Sequence, residues 1–155
     1  TLPGINIETV ALRIFNAYGP TQAIPPTHAP VIPQFVKQAI GKGSLIVHEG
    51  GQQTRDFVYI DDVVEAMVAA ATAQGIDRQV INVGSGQETS INDLVHTIEQ
   101  VTGREAQVLH VKAESGGVSR LVADLSQARR YLHYKPQIDL KTGLKLLLEH
   151  DPQFK

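Results

Sequence analysis

The stretch Thr9-Val10-Ala11-Leu12-Arg13-Ile14-Phe15 constrains the fold of this chain more than any other. Its apolar, β-branched character predicts a buried strand over Thr9–Phe15. The strand gives way to Asn16-Ala17-Tyr18-Gly19-Pro20, which reads as the start of a loop. Five of the eight prolines (Pro20, Pro25, Pro26, Pro30 and Pro33) follow at once. Proline fixes φ and lacks an N–H, so neither helix nor ladder can run through this loop. A stiff irregular loop at the end of a buried strand is a place where binding groups gather.

Beyond the loop the pattern alternates between helix and strand. Val31, Ile32, Phe35, Val36, Ala39 and Ile40 keep a helical spacing that Gly41 stops. Short strands are expected at Leu45–Val47 and Phe57–Ile60, joined by the turn-like Glu49-Gly50-Gly51-Gln52. Asp62 with Glu65 reads as the capping pair of a second helix whose apolar face is Val63, Val64, Met67, Val68 and Ala71. Val80–Val83 reads as a buried strand turned by Gly84-Ser85-Gly86. Ser90 then caps a third helix, with Asp93 behind it and Gly103 at its end. Gln107–Val111 alternates like a half-buried strand, Asp124 or Ser126 opens a short helix through Leu132, and Asp139 caps a last one. The fold class is mixed α/β, with Thr9–Phe15 expected beside Val80–Val83 at the edge of a parallel sheet. No internal boundary appears, so residues 1–155 read as one partial domain.

Composition narrows the chemistry. A hydrophobic fraction of 42% with 19% charged residues describes a globular chain. Fourteen Lys and Arg, dispersed along the chain, against sixteen Asp and Glu lack the cationic face that a nucleic-acid partner requires. With no cysteine there is no disulfide framework, no thiolate metal site and no cysteine nucleophile. No apolar run reaches the roughly twenty residues of a membrane span, and TLPGINIE lacks the features of a signal peptide; no membrane partner and a cytoplasmic location are the expectation.

Single motifs point weakly to chemistry. Gly84-Ser85-Gly86 sits between a strand and a capped helix, as dinucleotide turns do, but Thr89 falls where the third glycine belongs and no acidic residue follows at the right distance. Tyr131 and Lys135 have the spacing of an acid/base pair, yet Pro136 drives Lys135 out of helical conformation. The six histidines have no metal-binding spacing, and Asp61 and Asp62 read as helix caps. Arg55 has two open readings: a surface ion pair with Asp56, or a planar fork aimed at a phosphate.

Five blocks taken together say more. Leu12–Pro20, Val31-Ile32-Pro33, Gln53–Val63, Ile81–Gly86 with Ser90-Ile91, and Ala123–Ala128, in that order, resemble the C-terminal half of the NAD-dependent nucleotide-sugar epimerases and dehydratases, the extended short-chain dehydrogenase/reductases. The resemblance implies the C-terminal part of a Rossmann-like fold plus its small substrate-binding α/β subdomain. The glycine turn that binds NAD and the catalytic Tyr-x-x-x-Lys pair belong to an N-terminal half absent from this sequence.

Residue by residue, the resemblance implies that Phe15 lies against the nicotinamide end of NAD and Asn16 donates to the sugar nucleotide's diphosphate. Val31 and the segment Ile46-Val47-His48 would line the base, Arg55 would pair with the diphosphate, and Asn82 would touch the same phosphates. The family's Arg-Pro-Gly-Asp reads Glu114-Ser115-Gly116-Gly117 here, so either Arg120 takes over as the cation or Glu114 points away. The implied protein is an NDP-sugar epimerase, with NAD as cofactor, a UDP- or dTDP-sugar as substrate and a homodimer as assembly. No catalytic residue and no metal ligand lies in this chain, which is expected to be inactive alone. The alternatives are half of a 4,6-dehydratase, or a non-catalytic nucleotide-binding or assembly module. An exposed apolar face is expected where the rest of the sheet is missing.

Overall fold

The computed structural model describes residues 7–112 and 118–155, so Glu114-Ser115-Gly116-Gly117 lies outside the described residues. In chain order the elements are β1 (Val10–Ile14), β2 (Asn16–Tyr18), α1 (Val31–Ile40), β3 (Ser44–His48), β4 (Thr54–Arg55), β5 (Phe57–Tyr59), α2 (Ile60–Thr72) and β6 (Gln79–Val83). After these come β7 (Thr89–Ser90), α3 (Ile91–Thr102), β8 (Gln107–Val111), α4 (Ser126–Leu132) and α5 (Leu140–His150). Short 3-10 turns follow β3, at Glu49–Gly51, and α5, at Pro152–Phe154.

The strands associate in pairs. β1 and β6 are parallel, with Ala11 opposite Val80 and Ile14 opposite Val83, which meets the expectation that these two strands are neighbours. β2 runs parallel to β5 and β3 to β8, while the short β4 is antiparallel to β7. Asn16–Tyr18, expected as loop, is therefore a strand: the chain stays extended until Gly19-Pro20 because Asn16–Tyr18 finds Phe57–Tyr59 as a ladder partner. Among the described residues no helix is long and apolar enough to cross a membrane.

Two cores share β5 between them. Successive side chains of a strand face opposite ways; Phe57 and Tyr59 enter a core built on α1, β3, α3 and α5, and Val58 enters a second one built on β6, α2 and α4. Tyr18 meets Tyr59 edge-on in the first, at 5.5 Å between ring centres. Burial pushes the Tyr18 hydroxyl well above its ordinary pKa, with Tyr59 adding to the effect.

The caps of α3 and α5 are as expected. Ser90 Oγ accepts from the Asp93 amide at 3.0 Å, and Asp139 Oδ1 from the Thr142 amide at 2.7 Å. Asp62 is a correction. α2 starts two residues before it, at Ile60, with no side-chain cap, and the buried Asp62 carboxylate takes the amides of Gln137 and Ile138 at 2.8 and 3.1 Å. Of the apolar face expected for this helix, only Val63 is buried.

Candidate functional site

The sequence around Arg55 decides where its side chain goes. Thr54 and Arg55 pair with Ser90 and Thr89, and on the other side Thr54 bonds through its backbone to Ser119 and Leu121. In this extended stretch neighbouring side chains point apart, so Arg55 and Asp56 separate. Asp56 is wholly buried: its Oδ1 accepts from the Ser85 amide and hydroxyl at 2.7 and 2.6 Å, and its Oδ2 from the amides of Gly86 and Ala123 at 2.9 and 3.0 Å. Four donors satisfy the carboxylate without a cation. The ion-pair reading of Arg55 with Asp56 is thereby excluded.

Asp56 also accounts for the glycine turn. A Cβ on Gly84 would lie 2.6 Å from Asp56 Oδ2 and 2.8 Å from the Ala123 Cβ, so only glycine fits there. The amides of Ser85 and Gly86, which a dinucleotide turn would present to a pyrophosphate, are spent on Asp56. This turn is a structural joint.

Arg55 faces the other way, into a cavity of about 490 Å³ that it lines with Asn16, Val31, Ile46, His48 and Gln53. Its Nη1 donates to the carbonyls of Thr54 at 2.7 Å and Val118 at 2.9 Å. The edge formed by Nε and Nη2 carries parallel N–H groups, the geometry that grips two oxygens of one anion. Among the described residues no carboxylate pairs with it. Asn16 is tied by its backbone and side-chain amides to the Asp56 carbonyl, at 3.2 and 3.1 Å, which holds it beside Arg55 and leaves one amide hydrogen for a ligand.

β3 supplies the opposite wall by simple alternation. Leu45 and Val47 point into the core, both with no exposure, while Ile46 is 50% exposed and lines the cavity with His48. Val47 therefore stands apart from the group it was expected to join. The turn after β3 returns the chain to β4; Gly51, at φ 74°, sits where a side chain would strike Asn92, whose Nδ2 bonds the Gly50 carbonyl at 2.8 Å.

Five of the nine expected residues thus meet in one cavity: Asn16, Val31, Ile46, His48 and Arg55. Phe15 follows β1, half-buried against the second core. Asn82 Nδ2 donates to the Asp124 carbonyl at 3.3 Å, away from the cavity. Arg120 grips the Glu88 carboxylate from Nε and Nη2, at 2.9 to 3.0 Å, and this holds the Glu88 carboxyl below its usual range with help from the Thr54 hydroxyl. The fork expected to replace a missing cation is already engaged.

Sequence reading missed Gln34 and Gln53 on the cavity wall. Gln34 lies three residues after Val31 on α1, a same-face spacing that could have found it. Gln53 Oε1 is buried without a hydrogen-bond partner among the described residues. Tyr131 and Lys135 do not form a pair: α4 ends at Leu132, His133 turns left-handed at φ 52°, and Arg130 stacks over the Tyr131 ring at 5.2 Å.

The chain is similar to known proteins in sequence and in fold. The UDP-N-acetyl-alpha-D-glucosaminuronate decarboxylase of Bacillus cytotoxicus is 32% identical over 150 residues, covering 93% of this chain and 46% of its own length. The crystal structure of a Thermotoga maritima UDP-glucose 4-epimerase with UDP-glucose matches with a TM-score of 0.85 at 30% identity, over 93% of this chain and 46% of that one. A Bacillus cereus UDP-glucuronic acid 4-epimerase, in complex with UDP-glucuronic acid and NAD, matches with a TM-score of 0.82 at 34% identity, over 91% and 44%. The chain spans less than half the length of each. The sequence model of the NAD dependent epimerase/dehydratase family matches residues 4–84, the segment that carries β1, the first cavity wall, Arg55 and the Asp56 joint, and the chain belongs to that family.

Proposed function

We propose that the Arg55 cavity binds the nucleotide diphosphate of an NDP-sugar, and that this chain is the substrate-binding half of an NAD-dependent NDP-sugar epimerase of the UDP-glucose 4-epimerase kind. The observation that carries this reading is the state of Arg55. Its guanidinium is fixed by two backbone carbonyls, has no carboxylate partner among the described residues, and opens onto a cavity with Asn16 beside it. A fixed, permanently charged fork with free N–H groups suits a phosphate. Ile46, Val31 and Phe35 offer apolar surface for a base, and Gln53 Oε1 offers a buried acceptor for a ligand donor.

The same lining sets what this chain contributes. Its ionisable side chains are Arg55 and His48, and it holds no Tyr, Ser or Thr; in this reading the chain clamps the substrate and leaves acid/base chemistry to residues outside it. With its Ser85 and Gly86 amides bound to Asp56, the Gly84 turn offers no amide cradle for the pyrophosphate of NAD. Phe15 would touch the cofactor at most from the end of β1, and no step of the reaction is assigned to this chain through NAD.

Incubating the full-length protein that carries this chain with UDP-glucose, UDP-glucuronic acid and dTDP-glucose, and reading products by NMR, tests the proposal. Interconversion of C4 epimers without change of mass is the expected result. Loss of water from the sugar would make it a dehydratase, binding without turnover would favour the assembly module, and no binding of any of the three would overturn the reading.

A further inference from the structure

The loop between β2 and α1 forms the rim of the Arg55 cavity, since Ala29 and Pro30 line it and Val31 begins α1. This loop contains no regular element after β2, and its Thr21 is a non-glycine residue at φ 65°. What holds it comes from the far end of the chain. The carboxylate of Asp151 is buried, and its Oδ2 accepts from the Thr21 amide at 2.7 Å while its Oδ1 accepts from the Gln153 amide at 2.9 Å. Gln153 Nε2 donates to the Gln22 carbonyl at 3.3 Å, and Gln22 Nε2 reaches back to the Ala17 carbonyl at 3.2 Å. Phe154, at the end of the same turn, is buried in the core formed with α1. The C-terminal turn therefore grips the loop at its start, through Thr21 and Gln22, and the helix into which the loop leads.

We propose that the turn Asp151–Phe154 is a strap that fixes the proline-rich loop and thereby sets ligand affinity in the Arg55 cavity, with Asp151 as its positioning residue; this rests on the nucleotide-binding reading above. Thr21 in the left-handed region needs an outside partner to stay there. Without the carboxylate its amide is left unpaired, the loop loses its anchor 130 residues away in sequence, and the wall carrying Pro30 and Val31 is no longer preorganised. A ligand then has to order the loop on binding, which weakens affinity without removing any contact to it.

Calorimetric titration of the full-length protein with UDP, alongside melting temperature and amide hydrogen exchange, tests the strap. Asp151→Ala, measured well below its melting temperature, should bind UDP about tenfold more weakly, the size of one lost charge-assisted hydrogen bond. Exchange at the Thr21 amide should speed up while β1 and β6 keep their protection. Asp151→Asn, which keeps one acceptor oxygen for the two amides that Asp151 holds, should recover only part of the affinity, and Gln153→Ala should lose about two- to threefold, as befits a neutral bond. Unchanged UDP affinity in a folded Asp151→Ala protein overturns the proposal, as does an affinity loss matched by equal loss of protection throughout β1 and β6. Should Asp151→Ala fail to fold, Gln153→Ala decides: unchanged affinity with unchanged exchange at Thr21 overturns it. If UDP binds and Arg55→Ala weakens it while Asp151→Ala does not, the strap alone fails; if the unmodified protein does not bind UDP, the nucleotide reading fails and the strap's role in affinity with it.

Discussion

The two cores on either side of β5 differ in how completely they are closed. The first, under α1, α3 and α5, buries Ile32, Leu45, Leu94, Ile98, Leu144 and Leu147 to 2% exposure or less and carries the candidate cavity on its rim. The second buries only one side of α2. Val63, Ala66 and Ala70 face inward, while Ile60, Val64, Met67 and Val68, spaced along the opposite face, stay exposed, with Met67 at 53% and Val68 at 63%. Ile14 and Val80 are likewise exposed on the β1–β6 pair. A helix apolar on both sides is built to be covered on both. The contrast teaches that the candidate cavity sits on a closed core and the exposed apolar stripe on an open one.

Asp56, under the glycine turn beside the second core, should be the most sensitive position. Asp56→Ala strands four donors at once, each worth about 1–3 kcal/mol when buried and unpaired, so a loss of about 4 kcal/mol or more is expected in urea denaturation. A loss under about 1 kcal/mol, the size of a single ordinary hydrogen bond, would show that the carboxylate does not hold the Gly84 turn and Ala123 in place.

Matched truncations sharpen the comparison itself. Leu144→Ala in the closed core should cost about 2–5 kcal/mol, whereas Met67→Ser on the open stripe should change the stability of the 155-residue chain by less than about 0.5 kcal/mol. Equal costs would mean that the stripe is covered in solution.

A smaller effect is expected at the start of α5. Asp139→Ala should cost about 1 kcal/mol and Asp139→Asn almost nothing, since both Asp and Asn cap well. The hydrogen bond from the Thr142 amide holds the Asp139 carboxyl below its usual range. A depressed folded pKa stabilises above the unfolded value of about 3.9, and the contribution disappears as pH falls through the lower folded value. Acid titration of the melting temperature should therefore show a shallower low-pH decline in Asp139→Asn than in the unmodified chain.

Local signals were legible in the sequence, and distant partners were not. Ser90 and Asp139 declare themselves as caps because their partners sit three residues on. The β1–β6 pairing follows from two apolar runs, but the burial expected of Thr9–Phe15 does not: β1 has no buried residue and β6 buries only Ile81 and Val83, because one side of the pair is left uncovered. Asp62 reads as a cap, and the Arg55–Asp56 pairing stays open, for one reason: both carboxylates bind amides 29 to 76 residues away, and nothing beside them in the chain says so. Asn16–Tyr18 was read as loop because a three-residue strand has no periodicity to detect. At the site, β3 alternation separates Ile46 and His48 from Val47, a distinction available in principle from the period-2 rule but lost when the three were carried over as one block. Arg120 looked free because its partner Glu88 lies 32 residues upstream.

The proposed role of Arg55 as a phosphate clamp on the rim of the closed core is open to calorimetry of UDP binding to the full-length protein and to its Arg55→Ala variant. Affinity should fall about ten- to hundredfold, or about 1.5–3 kcal/mol, with only a small drop in melting temperature from the two solvent-reachable carbonyls released, and Arg55→Lys should restore only part, because an ammonium keeps the charge and loses the fork. Equal UDP affinities for the unmodified protein and Arg55→Ala would show that the guanidinium serves only the Thr54 and Val118 carbonyls, and would contradict the account.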